Sequence, residues 1–239
     1  MPLKSEPLIA TRHSTLERLS HYANIGSLAV LVFSGFNVYF GLNYLDYGDA
    51  YAVHIIAAAV FLAVNWIVLP YSAFVNGTLP SYIFWVADAR RLWMVLKNFF
   101  TGSEYPQYTI YDIGKHKFIN RLHPVAKLLV YAHYLALFVL TITGLVLYSG
   151  SMMLLGVDIS GLIVHVMDFV APYFSLSGIA LVRILHVAMA YWFVAEVIIH
   201  VGMVQLDPRK FQHIKSMFLD GKEDLAEDQT ADIVDTSEK

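Results

Sequence analysis

Four runs of apolar residues, about 22–42, 52–74, 125–148 and 179–205, divide a chain whose remaining stretches are polar or amphipathic. Each run supplies the roughly 20 residues that a helix rising 1.5 Å per residue needs to cross about 30 Å of hydrocarbon. Only helices satisfy their own backbone there without closing a barrel, so the pattern predicts four membrane-spanning helices. Two further runs are apolar but interrupted by charge. The stretch 79–100 sets Asp88, Arg90, Arg91 and Lys97 among Trp85, Leu92, Trp93 and Phe99. The stretch 157–173 is short, carries Asp158, His165 and Asp168, and is bounded by Gly156 and Pro172. Both read as interfacial helices, on opposite sides of the membrane. Residues 222–239 are acidic and lack aromatic side chains, which predicts a mobile tail after a single membrane domain over 1–221. No internal repeat is evident.

Composition agrees with lipid as the solvent: 57% of the 239 residues are hydrophobic, 15% are charged, and mean hydropathy is +0.56. The fold class expected is an all-α integral membrane protein with four spans. Basic residues then set its orientation. Lys4, Arg12 and Arg18 precede the first span; Arg90, Arg91, Lys97, Lys115, Lys117 and Arg121 lie between the second and third; Arg209, Lys210, Lys215, Lys222 and Lys239 follow the fourth. The connections after spans one and three contain no Lys or Arg. This places both termini in the cytoplasm, in a multi-pass protein of the cell membrane. No cleaved signal peptide is expected. With no cysteine, the chain can hold neither a thiolate-bound iron–sulfur cluster nor a covalently attached haem. A net charge of −3 gives no reason to expect a nucleic-acid partner.

Histidines carry the chemistry. His186 and His200 are fourteen residues apart in the fourth run, which on a helix brings them within roughly 40° of one face and about 21 Å apart along the axis. Imidazole deep in hydrocarbon is costly and faces a partner, and neutral imidazole is a usual axial ligand of haem iron. Two stacked b-type haems are the first hypothesis. Depth decides the pairing: His54 starts the second span outside, level with His186, and His21 starts the first span inside, level with His200. Arg183 and Arg18 each precede a histidine by three residues, one turn nearer the surface, where a guanidinium can bind a haem propionate. The bland readings are that Arg18 is an ordinary positive-inside residue and that Arg183 snorkels. His133, on the inner side of span three, is read as packed or acceptor-proximal, or as a replacement ligand for His21 or His200. Glu196, four residues before His200, is a buried acid beside the inner site, either a hydrogen-bonded core residue or a proton relay. Gly35 and Gly144 allow close approach to a macrocycle or simply to a neighbouring helix.

The run Glu-Arg-Leu-Ser-His over 17–21, the pair Thr143 and Gly144, the spacing of His186 and His200, and the segment Ile-Lys-Ser-Met-Phe-Leu-Asp-Gly over 214–221 resemble the cytochrome b (gamma) subunit of respiratory formate dehydrogenase. The related cytochrome b of membrane-bound nickel–iron hydrogenase shares the plan. The resemblance implies a four-helix anchor with two haems b, ligated by His54 with His186 and by His21 with His200. It implies an iron–sulfur partner subunit, a catalytic molybdenum or tungsten formate dehydrogenase subunit (or a nickel–iron hydrogenase), and reduction of a membrane quinone, menaquinone or an analogue, at the cytoplasmic side. It places the quinone near Asn120, His123 and His200, with Glu196 beside them. A haem-free scaffold, in which the histidines serve packing, is the reading from another class.

Overall fold

The computed structural model describes residues 7–205, 211–228 and 230–236. Lys4, Arg209, Lys210 and Lys239, used above for orientation, lie outside them. The chain resolves into two compact units. The first comprises residues 1–128 and 200–239, the second residues 129–199.

In the first unit, strand β1 (Ile9–Thr11) leads into helix α1 (Thr15–Phe40). The helix starts where Ser14 and Glu17 cap each other: the Glu17 N–H donates to Ser14 Oγ and the Ser14 N–H to the Glu17 carboxylate. After a short loop the chain returns as α2 (Tyr47–Ala63), passes through a π-helical turn (Val64–Val68), and ends as α3 (Leu69–Val75). Pro70, which has no N–H to give the preceding turn, accounts for the widened turn. The two arms meet through matched stripes: Ser20, Ser27 and Ser34 are buried on α1, and Ala50, Ala57 and Val64 on the returning arm. Each stripe repeats every seven residues, so small side chains face small side chains and the backbones approach closely. Ser27 and Ser34 donate to the carbonyls of Ala23 and Val30, which satisfies hydroxyls that hydrocarbon cannot. Large apolar side chains point the other way: Ile56 and Ile67 are each 66% exposed, as a lipid-facing surface requires.

The amphipathic stretch expected at 79–100 is a 3₁₀ turn (Leu79–Tyr82) followed by α4 (Val86–Thr101). Asp88 sets the boundary: its carboxylate accepts from the Trp85 N–H, and the same group binds the buried Lys127 ammonium at 2.7 Å. Val86, Trp93, Phe99 and Phe100 stay exposed on α4. Strands β2 (Thr109–Asp112) and β3 (Lys117–Asn120) then form a hairpin ahead of α5 (Pro124–Tyr148).

The second unit contains most of α5, a two-residue hairpin of β4 (Met153–Leu154) and β5 (Val157–Asp158), helix α6 (Ile159–Val170), and α7 (Gly178–Gln205) up to Ile199. The expected short helix at 157–173 is therefore α6 with a 3₁₀ turn at Ala171–Phe174. Asp168 accepts the Gly178 N–H at 2.7 Å and so caps the start of α7. Among the described residues four helices are long and apolar enough to cross a membrane: Thr15–Phe40, Tyr47–Val75, Pro124–Tyr148 and Gly178–Gly202.

After α7 the chain rejoins the first unit as α8 (Phe211–Lys215), a π-helical turn (Ser216–Asp220), β6 (Lys222–Asp224) and β7 (Ala231–Val234). Residues 222–224 and 231–234 of the acidic segment expected as a mobile tail thus form strands. Strand β6 pairs antiparallel with β1, and β7 pairs parallel with β2. Composition hides the reason: Leu225, 2% exposed, packs with Ala10 and Tyr111 in a small core that secures the acidic segment. Gly221 is obligatory at φ +78°, since a Cβ there would meet the His13 carbonyl oxygen at 2.5 Å, and its own carbonyl accepts the Arg12 and His13 N–H groups.

This cap is sewn by charge. Arg12 binds Glu223 at 2.5 Å and the Arg121 carbonyl; Arg121 binds Glu17, the Tyr82 hydroxyl and the Arg12 carbonyl. Burial, aided by Arg12 and Arg121, pushes the His13 imidazole down to about 2. Burial alone would raise Glu223, but the His213 imidazole 2.8 Å away and the Arg12 guanidinium hold it at about 2. Both folded values lie below the unfolded ones, so the unfolded chain binds more protons and stability falls on acidification. The loss begins below the ordinary imidazole value of 6.5 and continues below the ordinary carboxylate value of 4.5. Amide protection factors at β1 and β6, taken against the intrinsic exchange rate at each pH, are expected to be high at about pH 7 and much lower at about pH 4, whereas equal protection would contradict this account.

Candidate functional site

Each unit presents the same local device. In the first, Ser34 Oγ stands 3.0 Å from His54 Nδ1 while its hydrogen goes to the Val30 carbonyl at 2.6 Å. In the second, Thr143 Oγ1 stands 2.9 Å from His186 Nδ1 while its hydrogen goes to the Val139 carbonyl at 2.7 Å. A hydroxyl has one hydrogen. With that hydrogen committed to the carbonyl four residues back, the oxygen can only accept from the imidazole, so we assign the proton of each ring to Nδ1. Nε2 is left with its lone pair, the form that binds iron. Next to each hydroxyl residue is a glycine: a Cβ on Gly35 would come within 3.3 Å of His54 Cε1, and one on Gly144 within 3.4 Å of His186 Cε1. The amino-acid sequence carries no visible repeat, yet the structure repeats a hydroxyl–glycine pair facing a histidine.

The expected inner ligands meet within the first unit. The rings of His21 and His200 lie with centroids 6.5 Å apart, inclined by 50°. Two imidazoles gripping one metal atom from opposite sides, each through a bond of about 2 Å, hold their ring centroids about 6 Å apart, so the pair fits a haem iron between them. Phe218 lies edge-on to His21 at 5.2 Å, and His21 Nδ1 is buried without a hydrogen-bond partner. Among the described residues no three His, Asp or Glu side chains converge as a compact metal cage would require. His54 belongs to the first unit and His186 to the second.

The other expected site residues have definite places. Arg18 donates to the carbonyls of Met217 and Leu219, tying α1 to the turn after α8. Arg183 is exposed near the start of α7. Asn120 is buried and gives its amide to the carbonyls of Tyr108 (2.6 Å) and Leu122 (3.0 Å). His123 accepts the Val125 N–H at Nδ1 (3.2 Å), so Nε2 donates to the Tyr105 hydroxyl at 2.8 Å. Asn120 and His123 thus brace the segment that enters α5. Glu196 is held by His133: Oε1 to Nδ1 is 2.9 Å. Sequence reasoning passed over Ser34 altogether and did not join His133 to Glu196. The adjacency of a hydroxyl residue to Gly35 and to Gly144 was the available signal for the first.

Thr143→Val keeps the side-chain shape and removes the acceptor. The imidazole of His186 then becomes a weaker donor to a metal, so the potential of a haem bound there is expected to rise, while Thr143→Ser leaves it unchanged. Redox titration of the purified protein checks this, and identical potentials in Thr143→Val and wild type would contradict it.

The model of the prokaryotic cytochrome b561 family matches residues 12–219. The F420 non-reducing hydrogenase II cytochrome subunit of Methanosarcina mazei is 34% identical over 229 residues, covering 92% of this chain and 85% of that protein. No solved structure matches the chain. With histidine rings set at the separation an iron demands, four helices fit to cross a membrane and a family match over most of its length, the chain belongs to the prokaryotic cytochrome b561 family and is a cytochrome b membrane subunit of an oxidoreductase.

Proposed function

We propose that this chain anchors a membrane-bound nickel–iron hydrogenase and carries electrons from an iron–sulfur partner subunit to a membrane quinone, menaquinone or an analogue. The similarity to a hydrogenase cytochrome subunit of Methanosarcina mazei supports the hydrogenase partner. The facing rings of His21 and His200 carry the electron-transfer reading. In it His21 and His200 hold one haem b and His54 and His186 a second. Haem b, when bound, supplies one-electron transfer without proton chemistry of its own. Ser34 and Thr143 keep Nε2 of His54 and His186 unprotonated, and Gly35 and Gly144 clear space beside those rings. Arg183 and the remaining donors of Arg18 neutralise propionates at either surface. Asn120, His123 and Glu196 are the residues proposed nearest the quinone. In this reading both termini face the cytoplasm and the membrane is that of the cell, as the loop charges favour.

The second reading exchanges the partner for formate dehydrogenase, and the segments 17–21 and 214–221 favour it. Purification of the complex with its partners, followed by anaerobic addition of hydrogen or formate, separates the two. A b-type absorption band that develops with hydrogen alone supports the first reading, and with formate alone the second. Absence of any b-type band from the reduced protein would eliminate both.

A further inference from the structure

The ligand pairing proposed above does not use His133 and Glu196, yet the two are closely set in the second unit. Each comes from a different spanning helix, α5 and α7, and the two side chains are 20% and 14% exposed. Glu196 Oε1 is bound to His133 Nδ1 at 2.9 Å, whereas Oε2 is buried with no hydrogen-bond partner. Phe193 and Tyr134 lie edge-on to the imidazole at 4.9 and 5.5 Å and fix its plane. An acid this far into a span is expensive, and an oxygen left without a donor adds to the expense. A proton on Oε2, or a donor brought by a ligand, removes that cost. Along α7 the carboxyl stands one turn before His200, on the same face.

The geometry points to Glu196 as the acid that protonates the carbonyl oxygen of a quinone-type carrier, with His133 as the residue that stabilises the carboxylate left behind. This rests on the electron-transfer reading above. The balance is complete. Two electrons come from the partner oxidoreductase by way of this chain, and Oε2–H gives its proton to one carbonyl oxygen, which becomes a hydroxyl. The new carboxylate keeps the His133 N–H at Oε1, takes up a proton from water, and repeats the step at the second carbonyl. The product is a hydroquinone. A general acid so placed contributes roughly 100-fold or more to rate.

Glu196→Gln is the informative variant. The amide keeps the size of the side chain and an oxygen for His133, but has no proton to give. With the partner complex and dimethylnaphthoquinone as acceptor, haem content and haem reduction are expected to match wild type, while naphthoquinone reduction falls roughly 100-fold. A variant with normal haems and wild-type quinone reduction would overturn the assignment and leave the electron-transfer reading intact. Failure of the wild-type complex itself to reduce the naphthoquinone would overturn both. Infrared difference spectra of the wild type need no variant: turnover with naphthoquinone should produce a carboxyl C=O band that shifts in D2O. Its absence would likewise overturn the assignment.

Discussion

If the proposed pairing holds, replacing His200 with alanine is expected to remove one haem from the purified protein and to stop quinone reduction, leaving a second haem in place. His21→Ala should lose the same haem, because in that pairing the two rings, 6.5 Å apart, share one iron. His54→Ala and His186→Ala should each lose the other. Haem quantitation and the reduced spectrum of all four variants form a closed test: loss must fall into these two pairs. If His21→Ala and His200→Ala retained different haems, or if any variant kept both, the ligand pairing would be wrong. His133→Ala tests the replacement ligand that the amino-acid sequence leaves open: it should retain both haems, and loss of either would overturn the pairing.

The second large effect lies away from any cofactor. Arg121→Met removes a buried guanidinium that binds Glu17, the Tyr82 hydroxyl and the Arg12 carbonyl at once. The Glu17 carboxylate, 8% exposed, is then stranded, and breaking a buried pair in this way costs about 3–5 kcal/mol. A lowered unfolding temperature in detergent is the expected result. Adding Glu17→Gln to Arg121→Met should restore much of the loss, since the stranded charge is gone. If the double variant were no more stable than the single, the cost would come from lost packing rather than from charge.

Much of this was legible in the amino-acid sequence, because two of its codes are long-range averages. Hydropathy over twenty residues reports the spans, and helical periodicity with alternating direction set His21 level with His200, whose ring centroids lie 6.5 Å apart. The cap was not legible. Its strands are three or four residues long, and their partners lie more than a hundred residues away: the Leu8 N–H binds Asp224 across 216 positions. A window sees only acidic residues near 224 and cannot see that Arg12 and Tyr111 await them. The hydroxyls of Ser34 and Thr143 escaped for a different reason. Inside a span, serine and threonine usually satisfy themselves on the preceding turn, and nothing in the letters says that the same oxygen also takes a proton from a neighbouring ring.

Because β1 pairs with β6, the order of biosynthesis matters. When Ile9–Thr11 leaves the ribosome its complement has not been translated, and all four spans must be threaded into the bilayer before Lys222–Asp224 arrives. Until then Arg12 lacks Glu223, and a strand edge stays open to proteases and to other chains. The cap can therefore close only after the fourth span has been made, so its closure follows synthesis of the whole membrane region.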